Sequence, residues 1–228
     1  MSYMQKKQLI AIIFFLTLII AATGHGGEIL IDDFAAGLRP GWQEKIFKGK
    51  TEYRLVQDSG QSVLMATSDK SASGLYYEIA YDPNKYPVLS WSWKIDHVLN
   101  KGNAYQKSGD DYAARIYVVF HSLFFWNTKT LNYIWANKLP KGEAIPNPYT
   151  ANVVMIAVQS GNDLAGEWRA ERRNIREDYI RYFGGQPGPV DAIAIMTDTD
   201  NTQEQATAYY GPIRVLSVDQ AQQETDRE

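Results

Sequence analysis

From residue 28 onwards the chain alternates short apolar and polar runs, separated by turn-forming segments. This alternation has a period of two residues, which is typical of β-strands that bury one face. The connecting segments are rich in Gly, Pro, Asn and Asp, as in DSGQ at 58–61 and YDPNKYP at 81–87. The pattern predicts strands at 28–34, 51–58, 62–68, 74–81, 87–96, 111–122, 131–138, 151–161, 167–174, 191–198 and 207–218.

One segment departs from this pattern, NIREDYIRYFGG at 174–185. Ile175, Tyr179 and Phe183 recur at helical spacing, and Gly184 can end the helix. Helices do not recur between the strands, so the chain lacks the pattern of βαβ units. We therefore predict an all-β fold, an antiparallel β-sandwich of the jelly-roll kind, as in galactose-binding and concanavalin-like domains, with one short helix.

Side-chain parity within two strands separates a core face from a polar face. In residues 89–95 the odd positions are Leu, Trp, Trp and Ile, whereas the even positions are Ser, Ser and Lys. In residues 114–120 the even positions are apolar, and Arg115, Tyr117 and Val119 point the other way. The second face is then an outer or concave surface. By analogy of fold alone, concave surfaces of such sandwiches commonly bind extended ligands.

The N-terminus has the layout of a secretory signal. Lys6 and Lys7 precede a largely apolar run at 9–22, which small residues follow. The run has 14 residues, whereas a membrane span needs roughly 18–20. We predict a signal peptide at 1–24, a single β-sandwich domain at 25–216 and a disordered tail at 217–228, which has few apolar residues. The protein is then periplasmic or secreted, without stable membrane insertion after cleavage.

Charge and cysteine content narrow the function classes. Without residues 1–24 the chain has 21 basic and 26 acidic residues, a formal charge of −5. This balance and the absence of a basic tract argue against nucleic-acid binding. The chain has no cysteine, so disulfides, thiol catalysis and Cys-ligated zinc are excluded.

Two sets of residues that could support catalysis lack the partners or the spacing that catalysis requires. His97 and His121 are isolated, and neither lies in the setting of a nucleophile or a zinc ligand pair. Glu167 and Glu171 would share one face of a strand, but four residues separate them by about 13 Å. That exceeds the roughly 5–9.5 Å of a glycosidase pair. With Arg169 between them, these residues are better explained as a charge ladder, with a polar binding groove as the alternative.

The segment MTDTDNT at 196–202 offers Asp198, Asp200 and Asn201 within four residues. It does not continue as an EF-hand, because Gln203 and Tyr209 occupy the positions of the required Gly and Glu. Asp and Asn can close such a turn through their own backbone. The alternative is a hard-cation or ligand site, with calcium at Asp198 and Asp200, completed by Asp110 and Asp111 or by Asp32 and Asp33.

The stretch KSGDDYAARIYVVF at 107–120 puts two aspartates just before a strand that contains a single arginine. On a regular strand Arg115 has the parity of Asp111, which leaves Asp110 in the turn. Arg115 could bind a loop carboxylate, such as one from DTDNT, and so tie two loops together. Alternatively, Asp and Arg could bond the hydroxyl groups of a ligand. If the loops at 105–112 and 198–204 meet, Asp110, Asp111 and Arg115 form one polar centre with the DTDNT segment.

Several of these blocks, in the same order, resemble a known family. GDDYAARIYVVF, LNYIWANKLPKGEAIPNPYTANVVMIAVQSG, EWRAERRNIREDYIRYFG and AIAIMTDTDNT resemble the bacterial exported family called domain of unknown function 3047, over about residues 29–215. A looser similarity links the DDF and YYGPIRVL strands to jelly-roll carbohydrate-binding modules. The resemblance implies a single exported β-sandwich domain. Its recurrent blocks map onto Asp110, Asp111, Arg115, Glu171, Arg172, Asp198, Asp200 and Asn201.

Three functions fit these observations. The first is a non-catalytic domain that binds carbohydrate or envelope glycan, with Trp91 and Trp93 in the core and Trp126, Trp135 and Tyr133 as exposed candidates. The second is a polysaccharide hydrolase or lyase that uses carboxylates from different strands. The third is a structural or interaction protein of the cell envelope. The ligand-binding candidates are Asp110, Asp111, Arg115, Tyr117, Glu171, Arg172, Asp198, Asp200 and Asn201.

Overall fold

The chain folds into two β-sheets packed face to face. The computed structural model describes residues 27–122 and 125–226, in which there are thirteen strands and two α-helices. The predicted signal peptide lies outside the described residues. The strands are β1 (Glu28–Asp32), β2 (Trp42–Lys48), β3 (Glu52–Asp58), β4 (Gln61–Asp69), β5 (Ala72–Tyr81), β6 (Val88–Ile95), β7 (Arg115–Phe120), β8 (Lys129–Ala136), β9 (Ala144–Asn147), β10 (Thr150–Ser160), β11 (Arg169–Asn174), β12 (Val190–Asp198) and β13 (Gln205–Leu216).

One sheet has six strands and the other has seven. The six-stranded sheet runs β11-β6-β13-β4-β3, and β1 pairs with the end of β13. The seven-stranded sheet runs β2-β5-β12-β7-β8-β10-β9. The strand pairs are antiparallel, except that β10 runs parallel to β8. The predicted antiparallel β-sandwich is therefore the observed fold, with one parallel pair that strand patterning does not indicate.

Two strands escape the alternation pattern. The β2 strand is an edge strand in which no residue is fully buried, so its sequence WQEKIFK shows no clean apolar face. The β9 strand has only four residues and contains Pro146, which is tolerated at the edge of a sheet.

The core between the sheets is rich in aromatic rings. Trp91 and Trp93 are buried and face Tyr133 and Trp135 of β8. Ring centroids are 5.4 Å apart for Trp91 and Tyr133, and 6.0 Å apart for Trp93 and Trp135. The predicted core role of Trp91 and Trp93 is confirmed. Trp135 and Tyr133 are predicted at the surface, but they are fully buried because their face of β8 packs against the six-stranded sheet.

The predicted helix is α1 (Ile175–Phe183). Its N-terminus is capped by Asn174, whose side-chain oxygen accepts a hydrogen bond from the backbone N–H of Glu177 at 3.1 Å. Asp178 attaches the helix to the seven-stranded sheet, because its carboxylate accepts a hydrogen bond from the Tyr133 hydroxyl at 2.7 Å. Gly184 follows with a positive φ of 72°, as a helix end favours.

The C-terminal segment differs from the expected disordered tail. Residues Val218–Thr225 form helix α2, which Ser217 caps by accepting a hydrogen bond from the backbone N–H of Gln220 at 3.2 Å. Glu224 pairs with Arg172 at 2.6 Å. Capping and ion pairing hold this segment, and neither is visible in a search for apolar residues. Neither described helix has the length and apolarity that a membrane span requires.

Candidate functional site

The two loops that carry the predicted aspartates meet. The buried carboxylate of Asp111 accepts four hydrogen bonds from the DTDNT segment: from the backbone and side-chain amides of Asn201, both at 2.9 Å, and from the backbone N–H and hydroxyl of Thr202, at 2.6 and 2.8 Å. Asp111 therefore acts as a tie between the loop before β7 and the loop after β12.

Arg115 stands at the start of β7 and pairs with the other two buried aspartates. Its guanidinium contacts the Asp198 carboxylate directly, and its Nη1 lies 3.7 Å from Asp110 Oδ1. The expected parity with Asp111 does not hold, because the strand begins only at Arg115 and the preceding residues follow the loop. The rings of Tyr112 and Tyr117 lie 5.2 and 5.5 Å from the guanidinium carbon.

Asp110 and Asp198 thus share one buried guanidinium, and Asp111 lies beside Asp198. Burial raises the pKa of Asp110, whereas Arg115 and a hydrogen bond from Asn147 at 2.8 Å oppose this rise. Burial and the other two carboxylates also raise the pKa of Asp198, against the effect of Arg115. For Arg115, burial lowers the pKa, but Asp198 and its other neighbours outweigh burial, and the pKa rises above its ordinary value. Burial thus shifts Asp110 and Asp198 towards their neutral forms, whereas Arg115 stays protonated.

A hard cation is geometrically conceivable at one edge of this cluster. One carboxylate oxygen from each of Asp111, Asp198 and Asp200 lies within 4.8 Å of the others. However, Asp111 already accepts four hydrogen bonds, and Asp198 accepts one from the backbone N–H of Tyr112 at 3.2 Å besides contacting Arg115. The Lys48 ammonium lies 3.8 Å from Asp200. Calcium would have to displace these partners, so the donor set fits a cation poorly.

Asp32 and Asp33 do not join this cluster, because they bond groups within ten residues of them in the sequence. The Asp32 carboxylate accepts hydrogen bonds from the backbone N–H groups of Phe34 and Arg39 and from the Trp42 indole, each at 2.8 Å. Asp33 accepts one from the backbone N–H of Ala35 at 3.1 Å, which closes a local turn. The expectation that these two residues complete a site with DTDNT is therefore wrong.

Next to the cluster, the outer face of the seven-stranded sheet carries a row of tyrosines. Ala194 on β12 pairs with Tyr76 of β5 on one side and with Tyr117 of β7 on the other, and paired residues share a face. Tyr117 is paired in turn with Asn132 of β8. Two strand spacings put Tyr76 and Tyr117 about 10 Å apart. Both rings are half-buried. We call Tyr76, Ala194, Tyr117 and Asn132 the tyrosine row.

A loop side chain, Tyr149, contacts both the segment before β7 and the DTDNT segment. Its hydroxyl donates a hydrogen bond to the carbonyl of Lys107 at 3.0 Å, and Lys107 Nζ lies 5.1 Å from its ring centre. Burial raises the pKa of Tyr149, and the neighbouring Asp110 and Asp200 raise it further. Burial likewise raises the pKa of Tyr117. Both phenols are therefore neutral hydrogen-bonding groups at neutral pH.

Two predicted site residues lie away from this cluster. Glu171 on β11 accepts a hydrogen bond from the Gln159 side chain at 2.6 Å, between the two sheets. Burial raises its pKa, and Gln159 opposes this. Arg172 pairs with Glu224 of α2. The hypothesis of an enzyme that brings Asp110, Asp111, Arg115, Glu171 and Asp198 together therefore loses Glu171.

The cluster and the row also include residues that sequence patterns do not single out. These are Tyr76, Asn132, Asn147, Tyr149, Ala194 and Thr202. Asn132 gives the clearest signal in retrospect, since it is a polar residue inside the apolar strand LNYIWA. Of the aromatic residues expected at the surface, Trp126 is 58% exposed, in a turn at Phe125–Asn127.

Solved structures share the general arrangement at low identity. The carbohydrate recognition domain of Emp47p is 10% identical with a TM-score of 0.46, covering 81% of this chain and 93% of that one. Endoglucanase cel12A from Rhodothermus marinus is 9% identical with a TM-score of 0.44, covering 83% and 99%. A carbohydrate-binding module described as specific for non-crystalline cellulose, CBM28, is 15% identical with a TM-score of 0.40, covering 89% and 97%. Similarities at these TM-scores do not bear on what this chain binds.

Sequence comparison assigns the family. No curated protein sequence matches the chain. One family model matches residues 40–214, which include the tyrosine row, Asp110, Asp111, Arg115 and the DTDNT segment. The chain therefore belongs to the family described as protein of unknown function (DUF3047).

Proposed function

We propose that this chain is an exported, non-catalytic β-sandwich that binds saccharide chains, such as envelope glycans, on the outer face of its seven-stranded sheet. The observation that carries the proposal is the tyrosine row beside the cluster of Arg115 and Asp110. Two half-buried rings flank the small side chain of Ala194. Such rings can stack on sugar rings, while nearby polar groups bond hydroxyls.

The non-catalytic part of the proposal is supported by how the carboxylates are held. A glycosidase needs one carboxyl group to donate a proton and another to attack or to activate water. Asp111 accepts four hydrogen bonds, and Asp198 contacts Arg115. These contacts favour a positioning role over attack on a substrate.

A glycan panel tests this function. Purified chain is run by affinity electrophoresis through gels that contain soluble polysaccharides, and it is pulled down on peptidoglycan and other insoluble envelope polymers. Retardation or retention by at least one polymer is expected, without release of new reducing ends on prolonged incubation. Absence of binding across the panel would refute saccharide binding, and release of reducing ends would refute the non-catalytic part.

Export is tested separately. The full chain with a C-terminal tag is expressed in a bacterium, and the protein from the periplasm and medium is sequenced from its N-terminus. The expected start lies within a few residues of residue 25. An uncleaved chain in the cytoplasm would contradict this part.

A further inference from the structure

Three buried polar atoms at the end of the tyrosine row have no hydrogen-bond partner in the described part of the chain. They are Asn132 Oδ1, Asp110 Oδ1 and Arg115 Nε. The residues are only 1%, 7% and 5% exposed, respectively. Buried polar groups normally find a partner, because leaving one unpaired after its removal from water is unfavourable.

The three atoms belong to neighbouring positions on one face. Asn132 is the direct cross-strand partner of Tyr117, and Arg115 lies two residues along β7 from Tyr117, on the same face. Asp110 is linked to Arg115 by the 3.7 Å contact. The side chains of Asn132, Arg115 and Asp110 therefore adjoin the same end of the row.

Their chemistry indicates what kind of group would satisfy them. Asn132 Oδ1 and Asp110 Oδ1 accept hydrogen bonds, whereas Arg115 Nε donates one. A hydroxyl group both donates and accepts, so adjacent sugar hydroxyls can serve all three atoms. A carboxylate or phosphate group would offer no donor to the two acceptors, and it would meet the carboxylates of Asp110 and Asp198. An ammonium group would offer no acceptor to Arg115.

We propose that Asn132, Asp110 and Arg115 form a hydroxyl-recognising subsite, and that the ligand is a neutral saccharide rather than an acidic or amino-substituted one. This inference rests on the proposed saccharide binding and adds the ligand class. Because the three atoms are covered, a ligand hydroxyl reaches them when a covering side chain turns aside. Tyr149 is the side chain we assign to this movement, since it is half-buried and Asn147, two residues before it, donates a hydrogen bond to Asp110 at 2.8 Å.

The first test uses the unaltered chain and isothermal titration calorimetry. Neutral oligosaccharides built from glucose, mannose, xylose or galactose are compared with oligogalacturonate and with glucosamine oligosaccharides of matched length. At least one neutral series should bind about tenfold or more tighter than either charged series. Equal or tighter binding of a charged series would overturn the ligand class while leaving saccharide binding intact.

The second test replaces Asn132. In Asn132→Leu, a side chain whose buried oxygen is unpaired gives way to an apolar group, so the folded state should be as stable as before or more so. Affinity for the neutral ligand should fall about tenfold, as expected when a bound hydroxyl loses its partner. Thr130→Val, two residues along the same face of β8, is the matched control and should bind within about twofold of the wild type.

The outcomes separate the two proposals. Unchanged affinity in Asn132→Leu would overturn the subsite. A stability loss in that variant equal to the loss in affinity would also overturn it, because Asn132 would then be a structural residue. Asn132→Ala repeats the measurement if the leucine variant does not fold. Absence of binding to every saccharide by the unaltered chain would instead refute the proposed function itself.

Discussion

The outer faces of the two sheets both combine aromatic rings with charged side chains, but they use them differently. On the six-stranded sheet, the Lys94 ammonium contacts the Asp58 carboxylate and lies 4.3 Å from the Tyr209 ring centre and 5.5 Å from that of Trp168. The Trp168 indole donates a hydrogen bond to the same carboxylate at 2.9 Å. This group, the Lys94 clamp, satisfies its own charges.

On the seven-stranded sheet, the polar side chains of the described residues do not fully satisfy one another. Asp110 and Asp198 contact one guanidinium, and three buried polar atoms have no hydrogen-bond partner within the described residues. Similar residue types can therefore build a group that satisfies its own hydrogen bonds or one that does not. The difference lies in whether the polar atoms complete one another, which composition alone does not show.

The largest expected difference between the faces is in stability. Arg115→Met removes the cation from a buried group of carboxylates, which should lower the free energy of unfolding by about 3–5 kcal/mol. Lys94→Met, the matched change in the partly exposed clamp, should cost about 1 kcal/mol or less. Urea denaturation at neutral pH measures both. Equal losses would show that the two faces do not differ in this respect.

The tie between the loops should have the next largest effect. Asp111→Ala removes the acceptor of four hydrogen bonds and should cost about 2–3 kcal/mol. Hydrogen exchange at the backbone amides of Asn201 and Thr202 should accelerate, because both donate to Asp111. Asp33→Ala, which removes one exposed hydrogen bond, is the control and should change stability by less than about 0.5 kcal/mol. Unaltered exchange at Asn201 and Thr202 would contradict the tie.

The two faces should also respond to pH in opposite directions. Burial raises the pKa of Asp110 above its usual 3.8, so its contribution to stability is present below that value and is lost as pH rises through the folded-state pKa. A hydrogen bond from Lys94 is the main cause that lowers the pKa of Asp58. The contribution of Asp58 is therefore present above pH 3.8 and is lost as pH falls through its lowered value.

Two variants isolate these contributions. Relative to the wild type, Asp110→Asn should become more stable as pH rises from 4 to neutral. The deficit of Asp58→Asn should be largest at neutral pH and should shrink below pH 3.8. Denaturation of each variant and the wild type across this range gives the differences directly. The same pH trend in both variants would remove this distinction between the faces.

Calcium should have the smallest effect. The carboxylates near Asp200 already have protein partners. Calcium at about 1 mM, or a chelator, should therefore move the thermal unfolding midpoint by less than about 1 °C. A tight site saturated with calcium would give a larger shift. A calcium-dependent rise that Asp200→Asn abolishes would restore the alternative of calcium at Asp198 and Asp200.

The sequence predicts the sandwich because its signal is local. Strand alternation, the helix at 174–185 and the parity of Arg115 and Tyr117 each depend on residues a few positions apart. The burial of Trp135 and Tyr133 depends instead on which face of β8 meets the six-stranded sheet, and alternation does not determine this because both faces of β8 are buried. The helix at Val218–Thr225 depends on a cap and on a distant arginine.

The candidate site also has features that local sequence predicts and features that depend on long-range packing. Asp110, Asp111, Arg115 and the DTDNT segment can be suspected from residue types, and the two loops do meet. The tyrosine row cannot be found this way. Tyr76 and Tyr117 lie in one row only because β12 pairs with both β5 and β7. Strand order, like partner choice for a charged side chain, is a long-range property.

The most direct test of the account compares one ring from each face. Once a saccharide ligand is identified, isothermal titration calorimetry measures its affinity for Tyr117→Ala, from the tyrosine row, and for Tyr209→Ala, from the Lys94 clamp. We expect Tyr117→Ala to weaken binding about tenfold or more, as loss of a central aromatic contact does, and Tyr209→Ala to bind as the wild type does. Unimpaired binding by Tyr117→Ala together with a loss in Tyr209→Ala would place the ligand on the opposite sheet and contradict the account.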